Sequence, residues 1–464
     1  MKQQDTQNTS LDISRIIFYT LCIIIVIVLS FIIGLYSAST ENILYRIFMT
    51  PNNIFAKSFK DVSKEYTTIA KIRPEHFLQP SRLRGEGVVV NDPAVAARGD
   101  LILLASFFDG GNELRLIRRD GRIVDRWPVK YSDFFGNSSL KDRPKTDWNV
   151  DIHGALALPD GSVVFNLEYN GTVKLDKCGK LVWKLDFNTH HSIERAEHGG
   201  FWVCGRRYHD EQGSNPFPPF RLPFDEDLIL KLSDDGKIEK ALSVPGLFYR
   251  NGLEALLTST GYLFNGKEEW DKEIAHLNKI EELSAQLAGK FPMFQEGDLI
   301  LSLYDYNMLL VVDPLTEKIK WWKIGPWVRQ HDPQFTRSGT ILLFNNNAYH
   351  KELDADDHTP LDYPSRSNIM EFDPATGECK IVYGAGESQK MLSVIRGKVE
   401  PSENGYLITE FEAGRAFEVD KDGKIVWEYI NRYDDDNVVE ITQARLYPEG
   451  YFKVADWAGC NKGD

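Results

Sequence analysis

Four side chains recur at one place in a repeated phrase. His153, His191, His331 and Arg396 open the segments HGALALPDGSVVFN, HSIERAEHGGFWVC, HDPQFTRSGTILLF and RGKVEPSENGYLIT, each eight or nine residues before a turn glycine. A neutral imidazole is a nucleophile and proton carrier near neutral pH, and a guanidinium holds anions. One histidine at the start of a strand is more often packed against backbone. Three in an equivalent slot, with an arginine in a fourth, point to a pocket assembled from distant parts of the chain. His76, His198, His209, His350 and His358 fall outside the slot and read as surface or loop residues. Three imidazoles could also hold zinc or iron. No carboxylate is placed as an obvious ligand, although Asp151 and Asp332 adjoin two of the histidines. No metal site is assigned and no cofactor is expected.

The elements that would position these groups follow from the rest of the repeat. A second phrase alternates with the first: an apolar strand, an acidic turn, then a strand that often carries Trp. It occurs around Asp120, Asp176, Asp234, Asp313, Asp373 and Asp420, mostly about 50–60 residues apart, within the period expected of solenoids and propellers. The longer gap after Asp234 holds a segment, 276–290, that reads as a helical insert. Together the two phrases supply four strands per repeat, the unit of a propeller blade. The expected fold is all-β, a six-bladed β-propeller over residues 87–464, whose innermost strands bring the slot residues to one mouth of the central channel.

Residues 16–36 form an uncharged apolar run. As a helix it spans about 30 Å, the thickness of a bilayer core. It is expected as one N-terminal transmembrane helix, preceded by a short tail, 1–15, and followed by a stalk or linker, 37–86. A cleaved signal peptide ending at Ser37-Ala38-Ser39 is the alternative. The flanking charges do not set an orientation. A net charge of −14 argues against a nucleic-acid partner, which requires a basic surface. The five cysteines show no metal-binding spacing. A disulfide among them is open but its pairing is not predictable, and small buried residues or free thiols are the preferred reading.

The segment His331-Asp332-Pro333-Gln334-Phe335, with the strand running to Asn345-Asn346, resembles the bacterial arylsulfotransferase family. So does His276-Leu277-Asn278, which matches a His-x-Asn segment of that family, and so do Arg396-Gly397 and the Trp-bearing phrases. The resemblance runs from about residue 90 to the C-terminal end. It implies a six-bladed propeller acting in the periplasm or outside the cell. There it would move a sulfuryl group from a phenolic sulfate ester to a phenolic acceptor, without a nucleotide donor, through a sulfohistidine. His331 matches the nucleophile, and His276 and Asn278 match supporting residues. Either His191 or His153 would supply the remaining histidine contact. Tyr304 stands where the family places an arginine that holds the sulfuryl group, and Arg396 or Arg366 would compensate from a neighbouring blade. Two other readings stay open. One is a non-catalytic propeller binding a ligand or a protein at its channel mouth. The other is a different propeller enzyme, such as a metal-dependent hydrolase or lyase or a quinone-dependent oxidoreductase.

Overall fold

Short apolar runs such as LILLASFF, VVFNL and ILLFN are bounded by turn residues, and each becomes a strand buried on both faces. The computed structural model describes residues 5–40, 68 and 70–460, apart from 139, 141–142, 219, 259–272 and 349–365. The chain divides into two units, Met1–Glu75 and His76–Asp464. The first contains the helix Asp5–Thr40. Its stretch Arg15–Ile33 is long and apolar enough to cross a membrane.

The second unit is a six-bladed β-propeller. Blades II to V are four-stranded and run outward in chain order. Blade II is built from Ile152–Ala157, Val163–Leu167, Gly171–Leu175 and Leu181–Leu185. Blade III comprises Thr189–Arg195, Phe201–His209, Phe224–Leu232 and Ile238–Ser243, and blade IV Leu277–Glu282, Leu299–Leu303, Met308–Asp313 and Lys318–Ile324. Blade V comprises His331–Phe335, Ile341–Asn345, Asn368–Phe372 and Cys379–Tyr383. Blade VI starts at Lys398–Pro401, continues through Gly405–Glu410, Arg415–Asp420 and Ile425–Ile430, and gains Gly87–Asn91 as an outermost fifth strand. Blade I takes its three outer strands, Leu101–Phe108, Gly111–Arg118 and Ile123–Val129, from the start of the unit and its innermost, Ile441–Tyr447, from near the end. The ring is therefore latched twice by antiparallel pairing between segments far apart in the chain.

Six apolar cores lie between the blades. Trp127 and Phe165 pack in the one between I and II, Phe344 and Phe417 in that between V and VI, and Ile102 and Trp427 in that between VI and I. The repeated sequence signals have defined structural duties. Asp120, Asp176, Asp313, Asp373 and Asp420 each accept backbone N–H groups two to four residues ahead, closing the turn between the third and fourth strands. In blade III the turn is closed by Ser233, whose hydroxyl accepts from the Lys237 N–H, while Asp234 accepts from Gly200. The outer-strand tryptophans bolt one blade to the next: Trp127, Trp183 and Trp427 donate to the carbonyls of Asp176, Asp234 and Arg119.

Three expectations change. Segment 276–290 is not a helical insert: Leu277–Glu282 is the inner strand of blade IV, and only Ala285–Ala288 is helical. The long connection to Leu299 hid the strand alternation. Cys178 and Cys460 form a disulfide, fastening the C-terminal tail to blade II; a sequence separation of 282 residues conceals such a pairing. Leu78–Pro80, within the expected stalk, pairs with Asn437–Val439.

Candidate active site

The inner strands of blades I to V each begin with a β-bulge, at Ile441/Gln443, Ile152/Ala155, His190/Ile193, Leu277/Lys279 and His331/Gln334. A bulge re-aims side chains next to the channel. His191, His276, Asp332 and Arg396 all adopt left-handed backbone, with φ of 49° to 55°. Each such non-glycine residue costs about 1–3 kcal/mol, a strain that concentrates at functional sites. In blade II the corresponding residue is Gly154, at φ 129°; a Cβ there would overlap the carbonyl oxygen of His191.

His331, the first residue of blade V, is buried. Its Nδ1 lies 2.7 Å from Asn346 Oδ1 and 3.3 Å from the Arg329 carbonyl. Asn346 cannot turn its amide around, because its Nδ2 donates to the carbonyls of Ser393 and Arg396, each at 2.8 Å. Facing two acceptors, His331 Nδ1 carries the proton and Nε2 keeps its lone pair. Burial pushes the His331 pKa down to about 3, against a smaller upward pull from the Asn346 bond. The ring is therefore neutral across the physiological range.

Three more imidazoles form a file. His190 Nδ1 and His191 Nδ1 are 2.7 Å apart, and His191 Nε2 and His276 Nε2 are 3.3 Å apart. His276 Nδ1 lies 3.0 Å from Glu273 Oε2. Glu273 is held as a carboxylate by Arg206 and by Tyr169, which donates at 3.2 Å. Burial first, then the Arg206 charge at His190 and the crowding imidazoles at His191, pushes both well below the usual imidazole range. The His191 ring faces that of His331 with centroids 6.2 Å apart. It also meets the His153 ring, centroids 4.0 Å apart. His153 sits 3.2 Å from Glu168, and burial followed by the Arg396 charge takes its pKa down to about 4.

The other expected site residues are distributed as follows. Arg396 is bound to Asp151 and Glu168, 2.8 Å from each, so its charge is already matched. Asn278 gives an amide N–H to the Gln330 carbonyl at 2.9 Å, tying blade IV to blade V. Tyr304 is buried with its ring 4.7 Å from His276 and 5.4 Å from His331. Arg366 pairs with the exposed Glu387 and donates to the Gly386 carbonyl, away from the histidines. His76 reaches the edge of the cluster, 3.6 Å from Asp151, and bonding to that carboxylate raises its pKa to about 9. His209 pairs with Glu226 and His198 with Glu296. His350 and His358 lie outside the described residues. Further along the inner strands, Lys279 bridges Glu194 (2.6 Å) and Asp332 (2.9 Å), and Arg445 bridges Glu194 and Glu400. This buried ionic layer joins the inner strands of five blades.

Four site residues escaped the reading of the sequence: His190, Asn346, Glu273 and Arg329. Strand alternation sends neighbouring side chains to opposite faces, so only one of His190 and His191 was expected inside; the bulge brings both in. Arg329 lies in the connection between blades IV and V, where no repeat marks it. Its guanidinium donates to Tyr304 Oη at 3.1 Å and sits 5.3 Å from the centre of that ring. Among the described residues it has no carboxylate within ion-pair distance, and no set of three or more His, Cys, Asp or Glu is arranged to hold a metal.

A family model described as arylsulfotransferase (ASST) matches residues 154–432. No curated protein matches the sequence. Solved structures similar to the chain include a protein of unknown function from Bacteroides caccae (12% identity, 75% of this chain and 98% of that one, TM-score 0.45). Virginiamycin B lyase from Staphylococcus aureus is another (12% identity, 80% and 97%, TM-score 0.39).

Proposed function

Because the chain belongs to the arylsulfotransferase family, we propose that it transfers a sulfuryl group between phenols through His331. The observation that carries this reading is the fixed His331–Asn346 pair, which leaves an uncharged nitrogen with a free lone pair among other histidines. In the first half-reaction His331 Nε2 attacks sulfur and the S–O(aryl) bond breaks, its electrons leaving with the phenolate. In the second, the acceptor phenol attacks the sulfohistidine and the N–S bond breaks. The transition state is loose, so catalysis rests mainly on placement and charge. Arg329, over the ring of Tyr304, supplies the cation that blade IV lacks at position 304. His276 and His191 flank the reacting group, and the rings of Tyr304 and the histidines provide flat surfaces for an aryl substrate.

The Cys178–Cys460 disulfide supports an oxidising compartment for the propeller, the periplasm or cell exterior, with the N-terminal helix as its membrane anchor. The test is intact-protein mass spectrometry after incubation with 4-nitrophenyl sulfate. The expected result is a gain of about 80 Da, the mass of one sulfuryl group on the nucleophile, that is absent from His331→Ala. No adduct and no phenol release with several aryl sulfates would overturn the assignment and favour a binding propeller.

A further inference from the structure

Sulfuryl transfer leaves a phenolate that needs a proton, yet the pocket is built against imidazolium. His153, His190, His191 and His331 crowd one another, are buried, and are pushed toward the neutral form, in contrast to His76 at the edge of the cluster. A conventional histidine acid, waiting in its charged form, does not suit such a place. The hydrogen-bond directions offer another source.

With Glu273 ionised and His276 neutral, His276 Nδ1–H donates to the carboxylate and His276 Nε2 is an acceptor. His191 Nε2–H must then donate to His276, which makes His191 Nδ1 an acceptor and His190 Nδ1–H its donor. The outward nitrogen of His190, Nε2, is left with a lone pair. Among the described residues it is buried without a hydrogen-bond partner and lies 3.8 Å from Asp227 Oδ1, which accepts from the Leu277 N–H at 3.3 Å; Asp227 Oδ2 is buried and unpartnered there. An approach of about 1 Å completes a hydrogen bond between them.

We propose that Asp227, His190 and His191 form a neutral proton relay that protonates the departing phenolate and later recovers the proton from the acceptor phenol. This rests on the sulfuryl-transfer reading of the pocket. The phenolate takes the proton on His191 Nε2. His191 Nδ1 takes the one on His190 Nδ1, and His190 Nε2 takes one from the Asp227 carboxylic acid. Each imidazole begins and ends neutral and only exchanges tautomer. The negative charge passes from the phenolate to Asp227. When the acceptor phenol attacks, each transfer reverses. Asp227 suits the terminus: burial pushes its pKa up and so favours the acid form, and Arg206 offsets the charge when it forms. His276 stays anchored to Glu273, its Nε2 giving up the His191 hydrogen bond when the phenolate oxygen arrives.

The full chain is assayed as wild type, His190→Gln and Asp227→Asn, with phenyl sulfate and 4-nitrophenyl sulfate as donors. A glutamine amide still donates to His191 Nδ1 but cannot pass a proton through, so a purely structural role is rescued and a relay is not. The expected result is a fall of about 100-fold in kcat/KM with phenyl sulfate, the scale of general acid catalysis. With 4-nitrophenyl sulfate, whose phenolate leaves unaided, the fall is under about tenfold. Equal losses with both donors, or no loss, overturn the relay. If His190→Gln does not fold by thermal melting, Asp227→Asn carries the same comparison. The relay is also judged without turnover, from 15N-histidine spectra of the wild type. Nδ1–H at His190 and Nε2–H at His191 support it, and any other resting pattern overturns it. Wild-type protein inactive on both donors refutes the sulfuryl-transfer reading, and the spectra alone then decide the relay's geometry.

Discussion

His331→Gln isolates the energetic consequence of burying a neutral imidazole. The unfolded chain binds a proton at this residue near pH 6.5, whereas the native state resists it down to about pH 3. The depressed base makes the unfolded state the proton acceptor, so stability is lost as pH falls below 6.5. At pH 7 the unfolded histidine is about one-quarter protonated and at pH 5 almost fully, which integrates to about 2 kcal/mol between those values. Absolute stability is a poor readout: Glu281 and Glu440, raised to about 8 chiefly by burial, bind protons in the native state first and gain stability over the same interval. The difference between two proteins cancels those contributions. The substituted glutamine amide can still donate to Asn346, so packing changes little. Thermal or urea unfolding at pH 7 and pH 5 should show the variant gaining about 2 kcal/mol on the wild type as the solution is acidified, or about 2 °C in Tm for a domain this large. Parallel stability curves at the two pH values would refute a neutral, buried His331.

Arg329→Gln should raise KM for 4-nitrophenyl sulfate about 10- to 100-fold, the loss of one charged hydrogen bond, measurable by initial rates; an unchanged KM would place the sulfuryl group elsewhere. Gly154→Ala should destabilise the propeller by more than about 2 kcal/mol, because left-handed strain adds to the clash with the His191 carbonyl; chemical denaturation checks it. Cys178→Ser should cost about 5 kcal/mol by chain entropy, given the 282-residue separation of the pair. The wild type should match the variant's melting temperature only when reduced.

The blade count was legible because the acidic turns repeat for a physical reason: five of the six aspartates cap the same tight turn, and three outer-strand tryptophans bolt equivalent seams. The slot residues were legible for a related reason, since the first strand of every blade begins at the channel. What alternation could not reveal was where that period breaks. The bulge at His190/Ile193 turns two neighbours inward, and the left-handed residues shift the histidines' positions from blade to blade, so His153 and His331 precede the bend while His191 and His276 occupy it. Asn346 stood inside a recognised segment, but its duty depends on carbonyls at 393 and 396 that no local pattern brings near. Arg366 was a reasonable choice of compensating cation by composition; its pairing with Glu387 shows that distance along the chain is no guide to distance in the ring.

The double latch has a consequence for biosynthesis. Ser106 and Glu440 are hydrogen-bonded across 334 residues of chain, so blade I emerges with its inner edge bare and stays so until nearly all of the chain has followed. During that interval the row of backbone groups from Leu101 to Phe108 is an open template for pairing with any passing strand. A nascent propeller of this kind needs shelter until its last strand arrives, and a translation product truncated before residue 441 would be an aggregation seed rather than a smaller propeller.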